Sequence, residues 1–426
     1  MSTLYIKHVG PITEGTKVIL KRFTVFIGPQ SSGKSTIAKL ISALMWIEKE
    51  ACTTLSENVL PEGESFKDFV ENFHRMHGYI DEELSLIKYE SEFISFRYEH
   101  GQHKLTLKDN NQYHRVKVSY MPADRNVATM KDLEKRDLEP TNFRSFLFDW
   151  LECNKNYDFE HKADILGLGV KYYYDKNAKE KKDKIIHSNG VTYDIPLYDA
   201  SSGLQSVVPL VVLMDYLTSQ YLVDYGKTTS FDTVKKKEQL IENLIKKYIH
   251  GTEDNAGSLF KKLNDQAQTG DAKAIQVIKQ LYQHFQNLTN PDRISFILEE
   301  PEQNLFTQTQ VEVLNEIIAN CNRNAFHTAV VTTHSPYVLA TINNLLLAGK
   351  LKNRDIDFSE LSSIVRPDSI LDDSEIMVYA VGNGTCHSII NKDTGLINQN
   401  ELDVASDYNA AVFEKLYRIY IKSLRR

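Results

Sequence analysis

The chain has 426 residues, 42% of them apolar and 25% charged, the balance of an ordinary folded protein with room for two or three domains and a sizeable core. Its formal net charge of −7 argues against wholesale wrapping of DNA, though not against a local basic groove. Nothing at the N-terminus resembles a signal peptide, and the most apolar run, Val207 to Met214, is too short to span a bilayer.

Cys52, Cys153, Cys321 and Cys386 are scattered without metal-ligand spacing, so a reduced, cytoplasmic chain with no membrane partner is expected. Leu4 to Val9 and Lys17 to Leu20 read as two strands about a turn at Gly10-Pro11. Phe23 to Ile27 is a buried-strand run that leads into Gly28-Pro29-Gln30-Ser31-Ser32-Gly33-Lys34-Ser35, followed by Thr36. This fits G-x-x-x-x-G-K-[ST], the loop that wraps nucleotide phosphates. Ile37, Leu40, Ile41 and Leu44 then recur at helical spacing, to about Glu50. Strand, loop and helix come in the order the motif requires. Gly28 and Gly33 let main-chain N–H groups turn onto phosphate oxygens, and the helix start adds partial positive charge. Lys34 should reach the β- and γ-phosphates, and the Ser35 hydroxyl should ligate Mg²⁺. A nucleoside triphosphate with Mg²⁺ is the expected ligand.

Thr53 to Gly63 reads as a loop, and Phe66 to Met76 as a helix. Phe93 to Tyr98, Lys104 to Leu107 and Val116 to Tyr120 suggest an antiparallel patch. Pro122-Ala123-Asp124-Arg125 follows; it suits either the edge of a nucleotide site or domain joint, or a capped turn. Lys131 to Leu166 has a helical pattern with Phe143, Phe146, Leu147, Trp150 and Leu151 on one core-facing stripe. Lys171 to Tyr174 and Lys184 to His187 read as a hairpin with a charged tip.

Ala200-Ser201-Ser202-Gly203-Leu204-Gln205 opens a very apolar helix from Ser206 to Leu222, a second anion-binding helix end. Lys235 to Leu288 reads as a compact, charged helical insertion. Ile294 to Leu298 is a short apolar strand ending in Glu299-Glu300-Pro301-Glu302. Adjacent carboxylates there are costly without a cation. Glu299 would hold the metal, and Glu300 would orient or deprotonate an attacking water. After a helix from about Gln308 to Asn320, the strand Thr328 to Thr333 ends in His334-Ser335-Pro336, where His334 can bond a γ-phosphate or the water. From Leu345 onward, Ser363–Arg366, Ile376–Val381 and Ser388–Ile390 look strand-like, before an amphipathic helix from Tyr408 to Leu424.

Taken in order, the phosphate loop, Ser-Ser-Gly-Leu-Gln, Glu-Glu-Pro-Glu and Thr-Thr-His-Ser-Pro resemble the ABC-type ATPase superfamily in its SMC, RecF and OLD branch. The nearest resemblance is to stand-alone OLD-like bacterial ATPases, many of them encoded in anti-phage defence systems. The resemblance implies an α/β fold: a P-loop NTPase with an ABC-type ATPase core, made of a mixed sheet plus N-terminal antiparallel strands, and helical insertions. It divides the chain into core residues 1–125, an insertion at 126–200, the signature helix at 201–225, a helical insertion at 226–290 and the remaining core at 291–426.

The same resemblance implies that ATP is sandwiched in a homodimer, or a higher homo-oligomer. Ser202, Gly203 and Gln205 would then contact the γ-phosphate held by the partner. Glu302 and Asn304 would open a segment crossing the interface, and His334 would be the switch histidine. Leu204 departs from the transporter signature, Glu299 stands where most members have Asp, and the glutamine loop has no assigned place. About ninety residues follow His334, close to what the ATPase itself needs, so no nuclease domain is expected and an effector should be a separate protein. The trigger could be DNA or a phage protein. A RecF-like DNA-maintenance ATPase is the alternative; a transporter subunit fits poorly because the insertion separates the signature from the acidic strand.

Overall fold

The structure, a computed structural model, describes residues 2–130, 139–180, 182–187, 192–225, 231–249, 256–352, 354, 358–397 and 416. In chain order, β1 (Ser2–Lys7), β2 (Thr16–Leu20), β3 (Phe23–Ile27), α1 (Lys34–Thr54), α2 (Phe66–Phe73), β4 (Leu86–Glu90), β5 (Ile94–Glu99), β6 (Gln102–Leu107) and β7 (Val116–Met121) make the first third. The middle holds α3 (Asn142–Cys153), β8 (Ala163–Asp164), β9 (Val170–Tyr174), β10 (Asp183–His187) and β11 (Tyr193–Pro196). Helix α4 (Ser202–Tyr216) follows and passes through a π-turn, Leu217–Tyr221, into α5 (Leu222–Asp224). Three insertion helices come next: α6 (Phe231–Ile249), α7 (Ala256–Gln268) and α8 (Ala272–Thr289). The last third is β12 (Arg293–Glu299), α9 (Thr307–Asn322), β13 (Thr328–Thr333), α10 (Pro336–Lys352), α11 (Phe358–Ile364), β14 (Ile376–Gly382) and β15 (Thr385–Ser388).

A six-stranded sheet in the order β15-β14-β3-β13-β12-β7 organises the molecule. Its four pairings β14–β3, β3–β13, β13–β12 and β12–β7 are all parallel, and β15 is added antiparallel at one edge. The inner strands β3, β12, β13 and β14 are largely buried because both faces are covered. Alternate residues point to opposite layers. Phe26, Ile297, Val330 and Tyr379 pack with α1 through Ile37, Leu40, Ile41 and Leu44. Val25, Phe296, Leu298, Val331 and Val378 pack with α3, α4, α9 and α10 on the other side. Strands β2-β1-β4-β5-β6 form a separate antiparallel sheet that shares the α1 core. Strands β11-β10-β9-β8 form a third sheet, an antiparallel meander. The expected α/β fold is therefore present, with its mixed sheet, N-terminal antiparallel strands and helical insertions.

Helix α4 and its continuation are long and apolar enough to cross a membrane by composition, and they are largely buried inside the fold. Val207, Leu210, Val211 and Met214 lie at the centre of the larger core.

Some sequence expectations need correction. Val116–Met121 does not join the antiparallel patch; it turns away after β6 and pairs parallel with β12. The patch gains β4 instead. Of the helical pattern expected over 131–166, residues 131–138 lie outside the described residues; among the described ones α-helix forms at Asn142–Cys153, and Ala163–Asp164 pairs as a strand with β9. Residues 363–366 are not a strand: Phe358–Ile364 is helical, and a 3₁₀ turn at Pro367–Ser369 follows. The strand-like piece at 388–390 shifts back to Thr385–Ser388. The amphipathic helix expected at Tyr408–Leu424 lies outside the described residues, apart from Leu416.

Candidate active site

The C-terminal ends of β3, β13, β12, β7 and β14 share one edge of the sheet, and every residue of the phosphate loop, the acidic turn and the histidine turn follows one of those ends. Open parallel sheets bind ligands at this edge. Residues 28–33 pass from β3 to α1 with Ser31 at φ 59° and Gly33 at φ 105°. Glycine is required at two points. A Cβ on Gly28 would collide with the Val381 carbonyl at the end of β14, and one on Gly33 would lie 2.7 Å from Ile12 Cδ1 as well as in the left-handed region. Pro29, Gln30 and Ser31 are exposed, while Lys34 and Thr36 are buried in the first turn of α1. The Ser32 hydroxyl is buried without a hydrogen-bond partner.

Lys34 folds back into the loop. Its Nζ donates to the Gly28 and Pro29 carbonyls at 2.9 Å each and lies 3.4 Å from His334 Nδ1. Burial pulls the ammonium below the usual lysine range, while Glu300 and Glu302 push back. The loop thus closes around its own cation, in the space where phosphate oxygens would compete for it.

The acidic turn divides its labour. The Glu299 side chain is buried and its Oε1 has no partner. It faces Tyr120, whose hydroxyl is raised well above its usual range by burial and then by Glu299. Lys39 of α1 feels the same carboxylate and that of Asp124, though burial lowers its ammonium overall. Glu300 sits at φ 44°, a conformation costly for any residue with a Cβ and found where surrounding structure enforces it. Its N–H donates to the Thr332 carbonyl at 2.9 Å, and its Oε1 lies 3.1 Å from His334 Nε2. Glu302 turns inward: its Oε1 accepts from the Thr333 hydroxyl and the His334 N–H, both at 2.7 Å. Glu302 therefore holds the histidine turn of its own chain. Asn304 has φ 61° and its carbonyl sits beside the start of α4, 2.9 Å from where a Gly203 Cβ would be.

At that helix start, Ser201 is the N-cap, its hydroxyl accepting from Leu204 N–H. Ser202 is exposed. The Gln205 amide donates to the Tyr198 carbonyl at 2.7 Å and the Ala200 carbonyl at 2.9 Å, so its donor serves the preceding turn. The remaining donors for an anion are the Ser202 hydroxyl and the first-turn N–H groups of Ser202 and Gly203. Among the described residues no hydrogen bond joins this turn to residues 28–36. Lys34, Glu300, Glu302 and His334 are brought together; Ser202, Gly203 and Gln205 stand apart from them in the same chain.

The donor set suits a magnesium nucleotide. The described residues hold no cluster of three or more His, Cys, Asp or Glu that could cage a metal by itself. An orphaned buried carboxylate oxygen on Glu299 and the Ser35 hydroxyl at the helix start are what Mg²⁺ uses when phosphates and water complete its shell.

Sequence reasoning did not assign Arg125 its role. It is fully buried, and its guanidinium donates to five main-chain carbonyls: Ser206 (3.0 Å), Pro122 (3.3 Å), Glu299 (2.8 Å), Glu300 (2.9 Å) and Pro301 (3.1 Å). The Asp124 side chain makes no cap hydrogen bond, and Arg125 ties the acidic turn to α4. The signal was an arginine three residues after a proline at a strand end, which says nothing of main-chain acceptors contributed from two distant segments.

No family model and no curated relative matches the chain. Among solved structures it is similar to the SMC head domain from Thermotoga maritima, with 11% identity, 91% of this chain and 97% of that chain covered, and a TM-score of 0.36. It is also similar to the recombination mediator protein RecF, with 9% identity, 91% and 97% covered, and a TM-score of 0.30. An ATP-binding cassette of an ABC transporter, MJ1267 in its ADP conformation, aligns at 14% identity with 99% of each chain covered and a TM-score of 0.26.

Proposed function

We propose that this chain binds and hydrolyses ATP at the edge formed by Gly28–Thr36, Glu299, Glu300 and His334. The observation that carries the reading is the half-buried contact set Lys34–His334–Glu300, assembled from three separate strand ends around a glycine-dependent loop. Residues Gly28 to Thr36 cradle the triphosphate with main-chain N–H groups, and Lys34 leaves the Gly28 and Pro29 carbonyls for phosphate oxygens. Ser35 and Glu299 would hold Mg²⁺, which supplies charge neutralisation on the phosphates. Glu300 orients and accepts a proton from the attacking water, and His334, fixed by Glu302 through its main chain, aligns Glu300 and meets the γ-phosphate.

The reading extends to assembly. Ser202 and the free N–H groups of α4 form an anion-binding end that its own phosphate loop does not use, which supports a head-to-head dimer in which each helix start completes the partner's site. The exposed Phe306 and Tyr337, each at the first turn of a helix leaving the site edge, support an interface there. In this reading the dimer is a nucleotide-gated scaffold that controls a separate effector protein in an anti-phage system. Support for that last step is the motif order alone.

The test is phosphate release combined with light scattering on wild type, Lys34→Ala and Glu300→Gln. The expected outcome is hydrolysis by wild type only, with Glu300→Gln doubling in mass on Mg-ATP and Lys34→Ala staying unchanged. ATP binding by Lys34→Ala at wild-type affinity would overturn the site, and a Glu300→Gln chain that binds ATP as a monomer would overturn the dimer.

A further inference from the structure

Arg125 links two parts of the molecule that the proposed reaction uses in different places. Its Nη groups hold the carbonyls of Glu299, Glu300 and Pro301, the backbone of the turn that aims the catalytic carboxylate. Its Nε holds the carbonyl of Ser206, in the second turn of α4. That carbonyl lies where the helix is already weakened, because Pro209 has no N–H for the Gln205 carbonyl. Every partner is a main-chain oxygen, so the fork fixes backbone positions rather than side chains. A planar guanidinium can bridge these acceptors; a lysine ammonium of similar length cannot span them.

In the head-to-head dimer proposed above, the two ends of the fork serve different nucleotides. Glu300 acts on the ATP held by its own chain, while the Ser202 turn is offered to the ATP of the partner. We propose that Arg125 is a positioning residue that carries the state of the Glu300 turn to the start of α4, so that nucleotide in one site sets the readiness of the helix end presented to the other. This rests on the ATP-hydrolase reading above. The strained φ of Glu300 marks the segment whose conformation would change; Thr332, Gln303 and Arg125 hold its main chain and His334 its carboxylate.

Two measurements test this. The first compares wild type with Arg125→Lys. Expected are nucleotide affinity, read with a fluorescent ATP analogue, and KM both within threefold of wild type, with kcat lowered at least tenfold. A kcat within twofold of wild type overturns the proposal.

The second keeps Arg125 and needs no folding-sensitive variant. In a Ser202→Arg chain, whose exposed substitution blocks the partner's nucleotide, amide hydrogen exchange is followed over residues 202–208 and 299–303 with and without Mg-ATP. Exchange slowing at least threefold in both segments is expected, and in neither when Lys34→Ala is added. Slowing confined to 299–303 overturns the proposal while leaving the ATP site intact. No slowing anywhere, together with absent ATP binding, would instead mark failure of the underlying ATPase reading.

Discussion

Glu299 and Glu302, three residues apart, each keep one buried carboxylate oxygen without a partner, but Glu302 also commits its Oε1 to the Thr333 hydroxyl and the His334 N–H. The first is poised for a cation and the second is a brace. Glu302→Ala removes two charge-assisted hydrogen bonds and leaves two donors unmatched, which costs about 1–3 kcal/mol per unsatisfied group. It is expected to lower kcat about tenfold or more with nucleotide affinity retained, as read by steady-state kinetics beside analogue binding. The placement of Lys34, Glu299, Glu300 and His334 at one sheet edge was legible in the sequence, because it follows from motif spacing and strand ends. The inward turn of Glu302 and the fork of Arg125 were not, because both depend on left-handed backbone at Glu300 and on carbonyl positions that no residue type signals. Gln205 was legible as part of a motif, but the commitment of its amide to the Tyr198 and Ala200 carbonyls was not.

Among the elements, α10 shows how a buried helix hides from periodicity. Leu339, Ile342, Leu345, Leu346 and Ala348 are all buried, so apolar residues recur on more than one face and no helical stripe stands out. At Gly349 the helix meets the chain so closely that a Cβ would lie inside contact distance of the Leu371 carbonyl. Gly349→Ala is therefore expected to lower the melting temperature by several degrees, since overpacking costs about 1–3 kcal/mol, without changing ATP affinity. Differential scanning fluorimetry and analogue binding check both halves.

Helix α2 ends at His74, which is wholly buried beside Phe69, Phe73 and Tyr120, and neither ring nitrogen has a hydrogen-bond partner. Burial, with Lys39 adding to it, pushes its pKa down from 6.5 to about 3. The unfolded chain takes up a proton below its ordinary value that the folded chain refuses. Stability is therefore intact above that value and lost as pH falls, by about 1 kcal/mol per pH unit towards the folded pKa. His74→Phe is expected to flatten the loss of stability between pH 6.5 and 4.5, measured by urea unfolding at each pH. His284 and His327, both pushed down to about 4 by burial, keep part of the slope in that variant.

For the whole molecule, the face around the site carries apolar groups that folding leaves uncovered. Phe306 is 79% exposed and directly precedes α9, one residue past Leu305 and two past Asn304, whose carbonyl lies against Gly203. An aromatic group this exposed beside an anion-binding helix end fits a contact made only when two chains meet. Phe306→Ser is expected to weaken ATP-driven association at least tenfold in light scattering across a dilution series, with ATP affinity of the single chain within twofold. With a like net charge of −7 on each chain, ATP-driven association is expected to strengthen as salt rises to physiological ionic strength, because that repulsion is screened.

The order of strands in the central sheet also sets a timetable for synthesis. The neighbours of β3 are β13 and β14, so a strand that ends at Ile27 waits for one that begins at Thr328. At about 5–20 residues per second on the ribosome, that delay is roughly 15–60 s. Strands β1, β2, β4, β5 and β6 can meanwhile close their own sheet from the first 107 residues, and α1 can dock on it. The other side of β3, with Phe23 and Val25, gains α3 and α4 from the middle of the chain, but its α9 and α10 cover comes only with the last third. A nascent chain stalled before residue 328 would thus display an apolar, unpaired strand attached to a finished subassembly, the kind of surface that holding chaperones bind.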